Sequence, residues 1–135
     1  MNGLQAVEDL ALYLHENQKV KVFKFEKSTG YKGNYIAVNH LPFTFGQVVN
    51  QSNVLNVNIH VPALASGGAN IPKLTEILST ITELIPYERS QEEEAGLNLN
   101  GFYYSISSIS QPIEDKDKTF FLNVRVKQIA NQLKM

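Results

Sequence analysis

The residues able to do chemistry are few and scattered. Three histidines, His15, His40 and His60, stand far apart in the chain. No two have the His-x-x-x-His spacing that puts two imidazoles on one helix face for a metal. His60 lies in an alternating segment beside Asn56 and Asn58. As a general base it needs an orienting partner and a nucleophile, and the sequence names neither. There is no cysteine, which removes thiolate catalysis, zinc–thiolate sites and disulfides together. Ser66-Gly67-Gly68 precedes a helical pattern that contains Lys73, but the phosphate-loop and dinucleotide fingerprints are both missing. A helix N-terminus can take an anion; a plain strand-to-helix turn explains the same glycines.

Carboxylates gather at Glu92–Glu94 and at Glu114, Asp115 and Asp117. The run Asp115-Lys116-Asp117-Lys118 lacks the glycine and the distal glutamate of a calcium loop. Glycoside hydrolysis requires a cleft with stacking aromatics, and the chain has no tryptophan. These absences predict no enzyme activity, no cofactor and no metal. Solvated loops, or ion pairs between neighbouring subunits, account for the acids.

At 135 residues the chain is one domain by length, spanning 1–135. The charged fraction of 19% is low for a globular domain, which leaves room for part of the surface to be covered by a partner. The net charge is −1 and the lysines are dispersed. No basic run marks a nucleic-acid footprint, so only a basic face assembled on folding or oligomerisation would supply one. Sequence-specific nucleic-acid binding is not expected. The acidic N-terminal segment does not read as an export signal, and no stretch approaches the ~20 apolar residues of a membrane span, so no membrane association is expected.

The elements that position these residues follow from periodicity. Leu4, Val7, Leu10, Ala11 and Leu14 fall at helical spacing over 3–17. Val20–Lys27 is strand-like with a phase slip that a bulge, or a strand covered on both sides, would produce, and Tyr35–Val38 is a second short strand that could pair with it as a hairpin. His40–Asn53 breaks both periods yet carries Phe43 and Phe45. Val54–Val61 alternates cleanly, with Leu55, Val57, Ile59 and Val61 on one face and Asn56, Asn58 and His60 on the other. Asn70–Ile85 carries an apolar stripe through Ile71, Leu74, Ile77, Leu78, Ile81, Leu84 and Ile85, capped by Asn70 and closed before Pro86. Tyr87–Gly96 reads as an exposed loop, Leu97–Ser110 as a strand with slips, and Thr119–Lys127 as a strand after a charged hairpin tip. Ile129 and Leu133 fall at helical spacing in the tail. The expected fold is α+β, a mainly antiparallel sheet covered by two amphipathic helices, in the order α-β-β-β-α-β-β.

That order resembles the tail terminator, or tail-completion, proteins of long-tailed bacteriophages and the related head–tail joining proteins. The resemblance runs over nearly the whole chain: Leu4–Leu14, Val20–Val38, Leu55–Val61 into Ile71–Ile85, then Phe102–Ile109 and Phe120–Val126. It rests on order, length and pattern. It implies a homo-oligomeric ring, usually a hexamer, that caps the tail tube and meets the head connector, located in the virion after assembly in the host cytoplasm, with no catalysis. For the subunit contacts, the non-periodic aromatics Phe43 and Phe45, the segment holding Tyr87, Leu97 and Leu99, and the charged tip Glu114, Asp115, Lys116, Asp117 and Lys118 are the expected residues. Asn56, Asn58 and His60 are the expected polar face of a lumen. The alternatives are a small-ligand or protein-binding α+β domain without enzymatic activity, with a pocket between Ile71–Ile85 and the sheet, or an enzyme whose site spans a subunit boundary.

Overall fold

The computed structural model describes residues 3–27, 30–41, 52–88, 96–116 and 118–130. Helix α1 (Gly3–Asn17) closes on the stripe Ala6, Val7, Leu10, Ala11 and Leu14, all buried, while Leu4 in its first turn stays exposed. Helix α2 (Ile71–Leu84) starts where Asn70 Oδ1 accepts a hydrogen bond from the Lys73 amide at 3.2 Å, with Pro72 in the first turn where its missing N–H costs nothing. Its buried ridge is Leu74, Ile77 and Ile81, continued by Ile85 just past the helix. Leu78 and Leu84 sit half-buried on the shoulders, and Ile71 is exposed.

The strands are β1 (Lys21–Lys24), β2 (Tyr35–His40), β3 (Ser52–Pro62), β4 (Leu97–Leu99), β5 (Phe102–Ile109), β6 (Ile113–Asp115) and β7 (Thr119–Ala130). They form one seven-stranded sheet in the order β1-β2-β3-β7-β5-β4, with β6 on the flank of β7. The fold is the expected α+β one, in the expected order of helices and principal strands. The short strands β4 and β6 are additions within segments read as one slipping strand and one hairpin tip. Asn100 and Gly101, at φ 52° and 86°, turn β4 into β5, and an irregularity between Ile106 and Ser108 accounts for the remaining slip. Gly96 precedes β4 because a Cβ there would lie 2.7 Å from the Tyr104 carbonyl oxygen. Ile129, read at helical spacing, belongs to β7 instead, opposite Ser52 and Tyr103.

The expected first hairpin, Val20–Val38, is overturned. Strands β1 and β2 run parallel, with Lys21 opposite Tyr35 and Lys24 opposite Val38. The chain leaves β1 at Phe25, whose φ of 69° ends the strand and whose amide donates to the Val38 carbonyl at 2.7 Å. Phe25 therefore lies outside β1, and no bulge is needed to explain the phase slip. Gly30 and Gly33, at φ 86° and 116°, bring the chain back to re-enter the sheet from the same end.

Both helices lie on one sheet face. The Tyr13 hydroxyl donates to the Leu84 carbonyl at 3.2 Å, tying α1 to α2. Beneath them, Ile36 and Val38 of β2, Leu55, Val57, Ile59 and Val61 of β3, and Leu122, Val124 and Val126 of β7 close the core. Each such side chain contributes about 1.5–3 kcal/mol by leaving water. One polar cluster interrupts this layer. Gln128 is fully buried, accepts from Asn53 Nδ2 and donates from Nε2 to the Tyr104 hydroxyl at 3.2 Å. Burial pushes the Tyr104 phenol up to about 12, against the opposing effect of its hydrogen bond to Gln128.

Candidate functional site

Among the described residues, no helix lies on the opposite sheet face. Register places on it Lys21 and Phe23 of β1, Tyr35, Ala37 and Asn39 of β2, and Asn56, Asn58 and His60 of β3. From β7 it receives Thr119, Phe121, Asn123, Arg125 and Lys127. Two arrangements organise these residues.

The first is an aromatic row across four adjacent strands. His60 is stacked between Tyr35, with centroids 4.3 Å apart and planes 7° apart, and Phe121, at 4.9 Å and 21°. Phe23 meets Tyr35 edge-on at 5.7 Å, and Tyr31 packs edge-on against both, at 5.1 Å from Phe23 and 6.0 Å from Tyr35. The second is an asparagine ladder beside that row. Asn56 donates to Asn39 Oδ1 at 2.8 Å, and Asn123 donates to Asn56 Oδ1 at 3.0 Å and to Asn58 Oδ1 at 2.7 Å. The polar face expected for β3 is therefore real, but its groups are spent largely on one another.

His60 itself is buried, at 7% exposure. Its Nδ1 stands 3.7 Å from Asp115 Oδ2, beyond hydrogen-bond length. Desolvation lowers its pKa below the ordinary histidine value, Asp115 opposes that shift and Lys27 reinforces it. The unfolded chain thus takes up a proton at His60 before the folded protein does. The native state holds this contribution fully above the ordinary value of 6.5 and loses it as pH falls from there through the depressed value. The melting temperature is expected to drop on acidification below pH 6.5. His60→Phe, which keeps the stack and removes the titration, should flatten part of that slope; an unchanged slope would refute the assignment.

One histidine facing one carboxylate is not a metal centre, and among the described residues no cluster of three or more histidines, cysteines or acids is placed to hold a metal. His40 is elsewhere, with Nδ1 2.8 Å from the Leu41 carbonyl oxygen, and His15 is exposed on α1.

At the end of the helix-free face, where Pro62 pairs with Thr119, lies a cleft of about 680 Å³. Lys27 and Lys32, from the connection between β1 and β2, meet Lys116 and Lys118, from the turn between β6 and β7. The Ala63 amide donates to the Lys118 carbonyl at 2.9 Å and anchors that turn. Tyr31, held by the aromatic row and donating its hydroxyl to the Asn34 carbonyl at 3.2 Å, fixes the other wall. Thr119 lines the cleft with a buried hydroxyl that has no hydrogen-bond partner among the described residues. Sequence inspection misses this cluster because its lysines come from two turns more than eighty residues apart. Only the parallel β1–β2 connection brings the first turn to the second.

The residues expected at subunit contacts are dispersed. Phe43, Phe45 and Asp117 lie outside the described residues, as do residues 89–95. Tyr87 is 57% exposed and bridges to Ile106 at the outer edge of β5. Leu97 and Leu99 pack half-buried against the core rather than pointing away from it. Glu114 and Asp115 belong to β6: register puts Glu114, opposite Phe120, on the helix-covered side and Asp115, opposite Thr119, on the other. Lys116 and Lys118 line the cleft. Set against known proteins, the chain matches no family model, no curated protein and no solved structure.

Proposed function

We propose that the chain is a structural protein of a long-tailed phage virion, assembling as a homo-oligomeric ring that caps the tail tube and joins it to the head connector. The observation that carries this reading is a single sheet on which, among the described residues, both helices lie on one face, in the element order of tail terminator proteins. Such a protomer leaves its other face and its rim for neighbours. Exposed apolar residues stand on that rim: Tyr87 beside β5, Ile113 on β6 and Phe25 after β1. The charged tip Glu114–Lys118 supplies groups that set register between copies, each exposed pair contributing ~0.2–1 kcal/mol while apolar contacts supply the affinity. Sedimentation velocity and electron microscopy at tens of micromolar are the test. A closed particle of several copies is expected, and a strict monomer in both low and moderate salt counts against the ring.

A further inference from the structure

We infer that the helix-free sheet face, together with the lysine cleft at its end, is a contact surface for the phosphodiester backbone of nucleic acid. The inference stands on the charge distribution of one protomer and does not depend on ring formation.

The net charge of −1 hides a strong segregation. On the helix-covered side the acids are abundant: Glu8, Asp9 and Glu16 on α1, Glu76 and Glu83 on α2, and Glu114 on β6. Two lysines of that side are paired there, Lys24 with Glu8 at 3.0 Å and Lys73 with Glu76 at 3.0 Å. The other side is the reverse. Lys21, Arg125 and Lys127 project from its strands, and the four cleft lysines extend the charge beyond the ends of β3 and β7. Among the described residues, the strand-borne acid of this face is Asp115. Its Oδ1 accepts from the Lys116 amide at 2.7 Å, and it is one carboxylate among seven cations of this face and cleft.

The arrangement has the length that a polyanion requires. Lys118 stands in the turn just before β7, and Arg125 and Lys127 follow on the strand; at about 3.3 Å per residue, Thr119 to Lys127 alone spans roughly 26 Å. That approaches one turn of a duplex, about 34 Å. Between the cations lies the asparagine ladder, uncharged and largely bonded within itself, while the Thr119 hydroxyl and the Tyr31 phenol border the basic end. A lipid surface fits less well. Membrane docking pairs lysines with apolar side chains that insert, and the aromatics here are stacked into the sheet, Tyr35 and His60 both being buried. The face offers no donor set dedicated to base edges, so contact is independent of base sequence.

Fluorescence anisotropy with a labelled 30-base-pair duplex of mixed sequence, titrated at 50 and 200 mM salt, is the test. Retention at 50 mM is expected, with steep weakening at 200 mM as counterions are released. Lys32→Glu/Lys116→Glu, and separately Arg125→Glu, should each weaken binding at least tenfold. Lys24→Glu/Lys73→Glu, which changes net charge as much as the double substitution and more than Arg125→Glu but on the helix-covered side, should stay within about twofold. Circular dichroism melts establish that each variant is folded. No retention at 50 mM salt, or an equal loss in the helix-side control, overturns the inference. Retention on phosphatidylglycerol vesicles without retention of the duplex also overturns it and assigns the face to a lipid surface.

Discussion

Ile81→Asp is expected to leave the chain without a cooperative folded state at 25 °C. Ile81 is fully buried on α2, within the cluster that includes Leu74, Ile77, Leu14 and Ile59. A carboxylate there loses its hydration and gains no cation, because the helix-side lysines Lys24 and Lys73 are held at the surface by Glu8 and Glu76. The lost isoleucine packing adds about 2–5 kcal/mol, the usual cost of truncating such a side chain. The sum reaches the whole stability of a typical domain, about 5–15 kcal/mol. Leu78→Asp, on the half-buried shoulder of the same helix, should cost less because the carboxylate can turn toward water. Urea titration followed by far-ultraviolet circular dichroism separates the two. A two-state curve for Ile81→Asp within about 1 kcal/mol of the unsubstituted protein would disprove the packing described for α2.

Gln128→Leu carries the second large effect, expected at about 2–4 kcal/mol. The substitution is nearly isosteric and adds apolar character to a buried position, so area alone predicts little change or a gain. The loss comes from its partners. Asn53 Nδ2, on a residue only 6% exposed, loses its acceptor, and the Tyr104 hydroxyl loses its donor. Each stranded group costs about 1–3 kcal/mol. The Tyr104 phenol, already pushed up to about 12 by burial, should rise further once the hydrogen bond that opposes the shift is gone. A folded pKa above the unfolded one means that native stability contributed at this group is lost as pH climbs from about 10 toward 12. Combining Asn53→Leu, Gln128→Leu and Tyr104→Phe should recover part of the loss, since the Asn53 amide and the Tyr104 hydroxyl are then no longer stranded. A single Gln128→Leu variant as stable as the parent would show that the cluster contributes nothing net.

Much of this architecture is legible in the chain because period and burial agree. The alternation of Val54–Val61 and Thr119–Lys127 survives in β3 and β7, and the helices sit within a residue or two of their expected limits. The β1–β2 pairing is not legible: two short strands separated by glycine-rich turn chemistry read as a hairpin, and only the backbone of Phe25 sends the chain out of the strand. Asn56, Asn58 and His60 were recognisable as a polar face. That His60 is buried in a stack was not, because Tyr35 and Phe121 reach it from other strands. The charge of that face was hidden for the same reason: its cations are dispersed singly along the chain, and strands and turns far apart in sequence bring them to one side.

The position of β7 has a consequence for synthesis. It is the last described strand in sequence, yet it lies inside the sheet, between β3 and β5. Its pairing with β3 joins Ser52 to Ile129 and Pro62 to Thr119. While the ribosome is still delivering residues before 119, β3 has one flank open and the core lacks Leu122, Val124 and Val126. Vectorial folding from the N-terminus therefore stalls at an unfinished half-sheet, a species whose unpaired strand invites association with another nascent chain. Domain closure becomes a late and long-range event. Translation pauses, a holding chaperone, or crowding of neighbouring polysomes should alter the yield of native protein more than they would for a fold whose central strand is made first.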